Sequence, residues 1–213
     1  MLFQDRDDAA RRLATKLAGF KGRHPLILAI PRGGVPMAAI VAAELGGEVD
    51  VVLVRKLRAP FNPELAVGSV DEDGWVYLAP HAISSGATQE YIEREKAEQL
   101  RIMRARRAQY TPLRAPINPE GRIVIVVDDG LATGATMISA LHALRGRKPG
   151  KLIVAVPVSS PEALAQVRKS ADEVICLEVP LHFQAVGQFY ASFEPVEDEQ
   201  VFAILKALGH PGA

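Results

Sequence analysis

The sequence predicts an α/β fold: an open parallel five-stranded sheet flanked by helices, with an inserted hairpin-plus-helix and a C-terminal cap. Three observations predict it. Five short apolar runs, of the kind buried on both faces of a parallel sheet, alternate with stretches of helical apolar spacing. Two of these runs end in glycine-containing loops that open directly into a helix, Pro31-Arg32-Gly33-Gly34 and Asp128-Asp129-Gly130-Leu131. Composition agrees, because 48% apolar and 23% charged residues over 213 positions suit a soluble chain with a substantial core.

Taken in order, Asp7 or Asp8 caps a first helix with Ala9, Leu13 and Leu17 on one face, and Gly19 ends it. Leu26 to Ile30 is the first strand. Pro36 sits where a helix start tolerates proline, and Met37, Ile40, Val41 and Leu45 make its apolar stripe. Asp50 to Val54 is the next strand, so this strand–loop–helix–strand unit is parallel and right-handed if it lies in one sheet. Pro60 and Pro63 rule out a central strand or helix around them. Leu65 to Val70 and Trp75 to Leu78 flank Asp71-Glu72-Asp73-Gly74 and read as a β-hairpin. Thr88 to Tyr110 is long, charged and nearly free of breakers, which predicts a helix. The parallel pattern resumes with strands at Ile123 to Val127, Leu152 to Val156 and Val174 to Leu177, and helices at Ala135 to Leu144 and Pro161 to Lys169. The tail carries Phe183, Phe189, Tyr190 and Phe193, then a last helix with Val201, Ile204, Leu205 and Leu208. Residues 1–213 read as one domain, with 59–120 an insert containing a mobile-loop candidate and 179–213 a C-terminal extension.

Composition also excludes. Acids and bases balance at 25 each, which argues against a broad nucleic-acid or membrane-surface role. Arg101, Arg104, Arg106 and Arg107 suggest a nucleic-acid face, but Glu93, Glu95 and Glu98 beside them favour a solvated helix. The single cysteine, Cys176, cannot build a disulfide framework or a zinc cluster alone, and its apolar setting predicts a core residue. Met1 to Asp8 is acidic without an apolar signal core, and no apolar run approaches the ~20 residues of a membrane span, so a cytoplasmic location is the default expectation.

The sharpest feature runs from Ile123 to Thr136. A buried strand ends in two carboxylates, Asp128 and Asp129. A loop of small residues and hydroxyls follows, Gly130 to Thr136, and opens into a helix. Free backbone N–H groups and the dipole at a helix N-terminus suit a phosphate, Thr133 and Thr136 add hydroxyl donors, and Gly134 permits close approach. Two carboxylates above a phosphate cup repel it unless they hold something else, for which ribose hydroxyls and a hard cation such as magnesium are the natural candidates. The segment lacks the lysine of a Walker A loop and the Gly-x-Gly-x-x-Gly dinucleotide fingerprint.

Over about thirteen residues, Val-Ile-Val-Val-Asp-Asp-Gly-Leu-Ala-Thr-Gly-Ala-Thr, the segment resembles the signature of type I phosphoribosyltransferases, which bind 5-phosphoribosyl 1-pyrophosphate (PRPP). The resemblance covers roughly Leu26 to Val156, with 59–120 poorly matched. It implies that Asp128 and Asp129 contact the ribose hydroxyls directly or through magnesium, and that Ala132, Thr133, Gly134, Ala135 and Thr136 wrap the 5′-phosphate. The family often has an apolar residue where this chain has Gly130, a departure that mainly adds backbone freedom. Resemblance also places pyrophosphate in the loop after the first core strand, commonly through a non-proline cis peptide. Here Gly33 and Gly34 ease that geometry and Arg32 supplies charge.

Val54-Arg55-Lys56 is expected to end the second strand, so that Arg55, Lys56 or Arg58 reaches the pyrophosphate. Glu64 lies where a mobile catalytic loop is expected. Glu64, His81 and His182 are the candidates for acid or base work at the acceptor. The implied activity is transfer of phosphoribosyl from PRPP, with magnesium, to a base-like acceptor whose identity is open. The rival from another class is a PRPP- or nucleotide-sensing regulator using the same pocket without turnover, which Arg32, Arg55 and Lys56 disfavour. A synthetase that makes PRPP from ATP needs a longer chain. A homodimer is left open.

Overall fold

The computed structural model describes residues 2–209, and for Pro63 and Glu64 the backbone alone. Its centre is a parallel sheet in the order β2-β1-β6-β7-β8, formed by β1 (Leu26–Ala29), β2 (Glu48–Val51), β6 (Ile123–Val127), β7 (Lys151–Val158) and β8 (Glu173–Glu178). The chain leaves β1 in one direction, to β2, and leaves β6 in the other, to β7 and β8. The strand order therefore reverses between β1 and β6, where a crevice opens beyond the strand ends.

Alternation along the strands builds a core on each face. Ile27, Ala29, Ile125, Val127, Ile153 and Ala155 pack with α1 (Arg6–Lys16) and α2 (Gly34–Leu45). Leu26, Leu28, Val124, Val126, Leu152 and Val154 pack with α4 (Ala135–Gly146) and α5 (Pro161–Val167). Burial on both faces explains why these strands read as unbroken apolar runs.

The insert forms a second, antiparallel sheet in the order β3-β4-β5, from β3 (Val54–Ala59), β4 (Asn62–Asp71) and β5 (Val76–Leu78), followed by α3 (Gln89–Tyr110). It docks on α4, where Ser69 Oγ donates to the Ala135 carbonyl at 2.9 Å and lies 2.6 Å from Ser139 Oγ. The final helix is α6 (Asp198–Ala207). The two termini are joined: Leu2 and Phe3 amides donate to the Phe189 carbonyl, and the Ala191 amide donates to Phe3.

Several expectations are corrected. The first helix is capped by Asp5, whose side chain accepts the Asp8 amide, rather than by Asp7 or Asp8. The second parallel strand ends at Val51, and Val54-Arg55-Lys56 opens β3 of the other sheet. Apolar runs do not mark where one sheet hands the chain to another. Pro63 does lie in β4, the middle strand. There Ala59 pairs with Asn62 and Arg58 with Ala66, so the proline falls in a bulge outside the ladder, and β5 pairs only from Gly68 to Val70. In α3, Arg101 pairs with Glu98 as expected, but Arg106 pairs with Asp198 and Arg107 with Glu72, so the latter two tie elements together. Cys176 is half-buried and its thiol is pushed up to about 11 by burial, consistent with an inert packing role. No helix among the described residues is long and apolar enough to cross a membrane.

Candidate active site

The two glycine loops meet at the crevice. A cavity of about 550 Å³ is lined by Pro31, Arg32 and Gly33 from the loop after β1, by Asp128 and Asp129 from the loop after β6, and by Thr136 from the first turn of α4. Arg55, Lys56 and Arg58 of β3 complete it. Although β3 is not in the parallel sheet, docking of the small sheet on α4 brings its bases to the same place. Acids and bases thus occupy different walls of one cavity.

Glycine is required where the loops touch. A Cβ on Gly34 would lie 2.5 Å from the Val127 carbonyl oxygen, and one on Gly33 would overlap the Asp129 carboxylate. The Pro31–Arg32 peptide is cis, as the resemblance implied. Arg32 itself is partly neutralised, with Nη1 3.2 Å from Glu197 Oε2 and 3.7 Å from Asp198 Oδ1 at the start of α6.

The carboxylate pair is unequal. Asp128 sits at the crevice floor, where burial, followed by the charge of Asp129, holds its carboxyl well above the usual range. Its Oδ1 accepts the Asp129 amide at 2.9 Å. Asp129 is also shifted upward by burial, but Arg6 opposes the shift: Nε and Nη2 donate to Oδ2 at 2.9 and 2.8 Å. The Tyr190 hydroxyl donates to the Asp129 carbonyl at 2.7 Å.

The loop from Gly130 to Thr136 is pinned along one side. The Leu131 amide donates to Val158, the Ser160 amide donates to Leu131, and Ser160 Oγ donates to the Ala132 carbonyl at 2.8 Å. Gly134 has φ +76° and precedes α4 directly. The amides of Thr133, Gly134 and Thr136 have no acceptor among the described residues; Thr136 lies in the first turn of α4, where N–H groups have no partner within the helix, and Thr133 and Gly134 precede it. Gly130 is not simply a freer backbone. A Cβ there would stand 2.6 Å from Val186 Cγ1 and 3.1 Å from Val158 Cγ1, so its hydrogen makes room for the tail to close on the loop.

A second cavity, about 540 Å³, lies on the other flank of this loop, against Ala132, Thr133 and Ala135. Tyr77 and His81 of the insert and Phe183 and Gln184 of the tail help to enclose it. His81 Nε2 is 3.0 Å from the Ala66 carbonyl. His182 is exposed and accepts through its own carbonyl from Gln188 Nε2. The Glu64 side chain lies outside the described residues. Among the described residues no group of three or more metal-binding side chains occurs. Asp128 and Asp129 offer carboxylate oxygens of the kind that a hard cation such as magnesium takes together with water.

Sequence reasoning missed Arg6, Tyr190 and Gln99. Nothing local marks Arg6, one charged residue in a charged helix start. Gln99 left a signal, being a polar residue on the buried stripe of α3 with Ile92, Met103 and Tyr110.

The chain belongs to the phosphoribosyl transferase family: residues 4–194 match the phosphoribosyl transferase domain. The crystal structure of TT1426 from Thermus thermophilus superimposes with a TM-score of 0.82 at 47% identity, covering 98% of this chain and 100% of that one. Two Mycobacterium tuberculosis proteins, Rv0571c of strain H37Rv and MT0597 of strain CDC 1551, are each named provisionally as a phosphoribosyl transferase. Each is 41% identical over 208 residues, 96% of this chain and 46% of the relative. The chain therefore spans about half the length of the curated relatives it matches.

Proposed function

We propose that the crevice binds PRPP with magnesium, and that the chain transfers its phosphoribosyl group to a base-like acceptor with release of pyrophosphate. One observation carries this reading. A single cavity joins a partly buried carboxylate pair, the mouth of a helix and a wall of bases, which is the charge pattern of a ligand with ribose hydroxyls at its centre and phosphates at both ends.

In this reading Asp128 and Asp129 hold the ribose 2′ and 3′ hydroxyls, directly or through the metal. The free amides of Thr133, Gly134 and Thr136 and the threonine hydroxyls hold the 5′-phosphate. Arg32, the glycines after it, Arg55 and Lys56 face the pyrophosphate. The C1–O bond to pyrophosphate breaks as the acceptor's electron pair forms the new bond at C1, and the bases stabilise charge that grows on the leaving oxygens. Magnesium, when bound, supplies further positive charge to that leaving group. The acceptor's proton passes to solvent or to a group at the second cavity, where His81 is the titratable histidine in reach.

The test is a panel of nucleobases and related nucleophiles with PRPP and magnesium, followed by pyrophosphate release. Turnover with one of them supports the transferase reading. Tight PRPP binding without turnover across the panel, together with a PRPP-dependent change in association with a partner, selects a sensor instead.

A further inference from the structure

Helix α3 buries Ile92, Gln99, Met103 and Tyr110. Gln99 is 4% exposed, and a buried primary amide needs partners for both its ends. It has them. Oε1 accepts from Arg55 Nε at 2.5 Å, and Nε2 donates to Glu95 Oε1 at 2.9 Å. The same Glu95 oxygen accepts the backbone amide of Arg58 at 3.3 Å. A chain of polar contacts thus runs from Glu95 through Gln99 to Arg55, and a branch clasps β3 beside it.

The partner chosen for Arg55 is informative. Arg6, Arg32, Arg106 and Arg107 each have a carboxylate within ion-pair distance, whereas Arg55 has none among the described residues. Its guanidinium is half-buried beside like charges: burial first, then Arg58 and Arg106, push it below the ordinary guanidinium value, and Glu95, one side chain away through Gln99, opposes them without touching it. Holding a crowded cation with a carboxylate would be electrostatically easier, but it would cancel the charge. A neutral carbonyl fixes the geometry and leaves the charge available to a ligand. Arg55 lines the cavity of about 550 Å³ and also one of about 340 Å³ with Arg32 and Arg106, so the charge that Gln99 holds stands on the wall the two share.

We propose that Gln99 is a positioning residue that holds Arg55 in the crevice without a carboxylate in direct contact, as a cation for the pyrophosphate end of PRPP. This rests on the PRPP reading above. It gives the insert helix, which the sequence presents as a solvated surface element, a direct part in ligand selection. Gln99 touches no ligand itself and acts through Arg55.

The test is calorimetry on the full chain with three probes: magnesium pyrophosphate, PRPP with magnesium, and ribose 5-phosphate. Gln99→Met keeps the side-chain length and removes the acceptor. Gln99→Glu keeps an acceptor in place and pairs it with Arg55. Both are expected to weaken pyrophosphate and PRPP by about tenfold or more, the scale of one charge-assisted hydrogen bond, and to leave ribose 5-phosphate within about twofold. Gln99→Glu is the decisive variant, and it serves alone if Gln99→Met fails to fold. A residue needed only for packing α3 would leave its pyrophosphate affinity unchanged, and that result overturns the proposal. So does an equal loss of ribose 5-phosphate affinity, which marks a general distortion of the crevice. If the parent chain binds ribose 5-phosphate but neither PRPP nor pyrophosphate, the PRPP reading itself fails and takes this proposal with it. If the parent binds all three and the variants match it, only the role of Gln99 fails.

Discussion

Arg6 donates through both Nε and Nη2 to a single oxygen of Asp129, 123 positions along the chain. The same guanidinium stacks 3.8 Å from the centroid of the Phe193 ring and donates through Nη1 to the Glu194 carbonyl at 2.7 Å. The first helix and the tail segment before α6 therefore converge on one acid of the candidate site. The latch holds that carboxylate still and occupies one of its oxygens.

Both members of this pair are largely shielded, 13% and 17% exposed in their side chains. Arg6→Ala leaves a shielded carboxylate without its partner, so urea denaturation is expected to show a loss of about 3–5 kcal/mol. Asp129→Asn in the Arg6→Ala background should recover part of it. A double-mutant cycle is expected to give a coupling above about 1 kcal/mol, and additivity would show that the contact is not energetically real.

Asp128 predicts a pH-dependent cost of function. Its carboxyl is held above the ordinary value of about 3.9 in the fold, so the folded chain binds the proton more tightly than the unfolded chain. Stability therefore falls as pH rises from the unfolded value toward the raised folded one. Asp128→Asn removes this penalty. Melting curves from about pH 4 to pH 8 should show the variant's Tm advantage growing with pH and then levelling off, while magnesium-dependent PRPP binding is lost. An advantage independent of pH would contradict the assignment.

The tail and the phosphate loop fit by size. Gly130→Ala would drive a methyl group into Val186 and Val158, at a cost of about 1–3 kcal/mol by denaturation. Val186→Ala in the same chain should restore most of that loss, because it removes the nearer of the two clashes. No recovery in the double variant would mean that the tail is not seated on Gly130.

Arg55→Ala and Lys56→Ala address turnover. Interactions that strengthen as the C1–O bond breaks lower kcat when removed, with less effect on binding. With whichever acceptor proves active, each is expected to slow pyrophosphate release on the order of 10²-fold, to weaken PRPP less, and to spare ribose 5-phosphate. A variant that binds PRPP poorly but turns over normally at saturation would confine these bases to ground-state binding.

How much of this was legible depends on the range of the interaction. The run from Ile123 to Thr136 is local: its pattern specifies a strand, a turn and a helix start, and the structure has β6, the loop and α4 there, with Asp128 and Asp129 at the cavity. The five parallel strands were equally legible, since burial on both faces requires unbroken apolar runs. The boundary at Val51 was not. Val49, Val51, Leu53 and Leu57 are all buried, and hydrophobicity does not record which sheet buries them.

The sequence by itself therefore determined the strands of the parallel sheet and its two glycine loops, because an unbroken apolar run and a strand–turn–helix step are local patterns, even though the strands themselves pair across the chain, Leu26 with Val124. Tertiary structure alone decided that β3 turns its bases into the same cavity, that Gln99 and not a carboxylate holds Arg55, and that Arg6, Tyr190 and Val186 close on the loop from both ends of the chain. Those contacts pair residues tens to more than a hundred positions apart. Their partners are chosen by how finished elements pack, and no local pattern of charge or hydrophobicity encodes that choice.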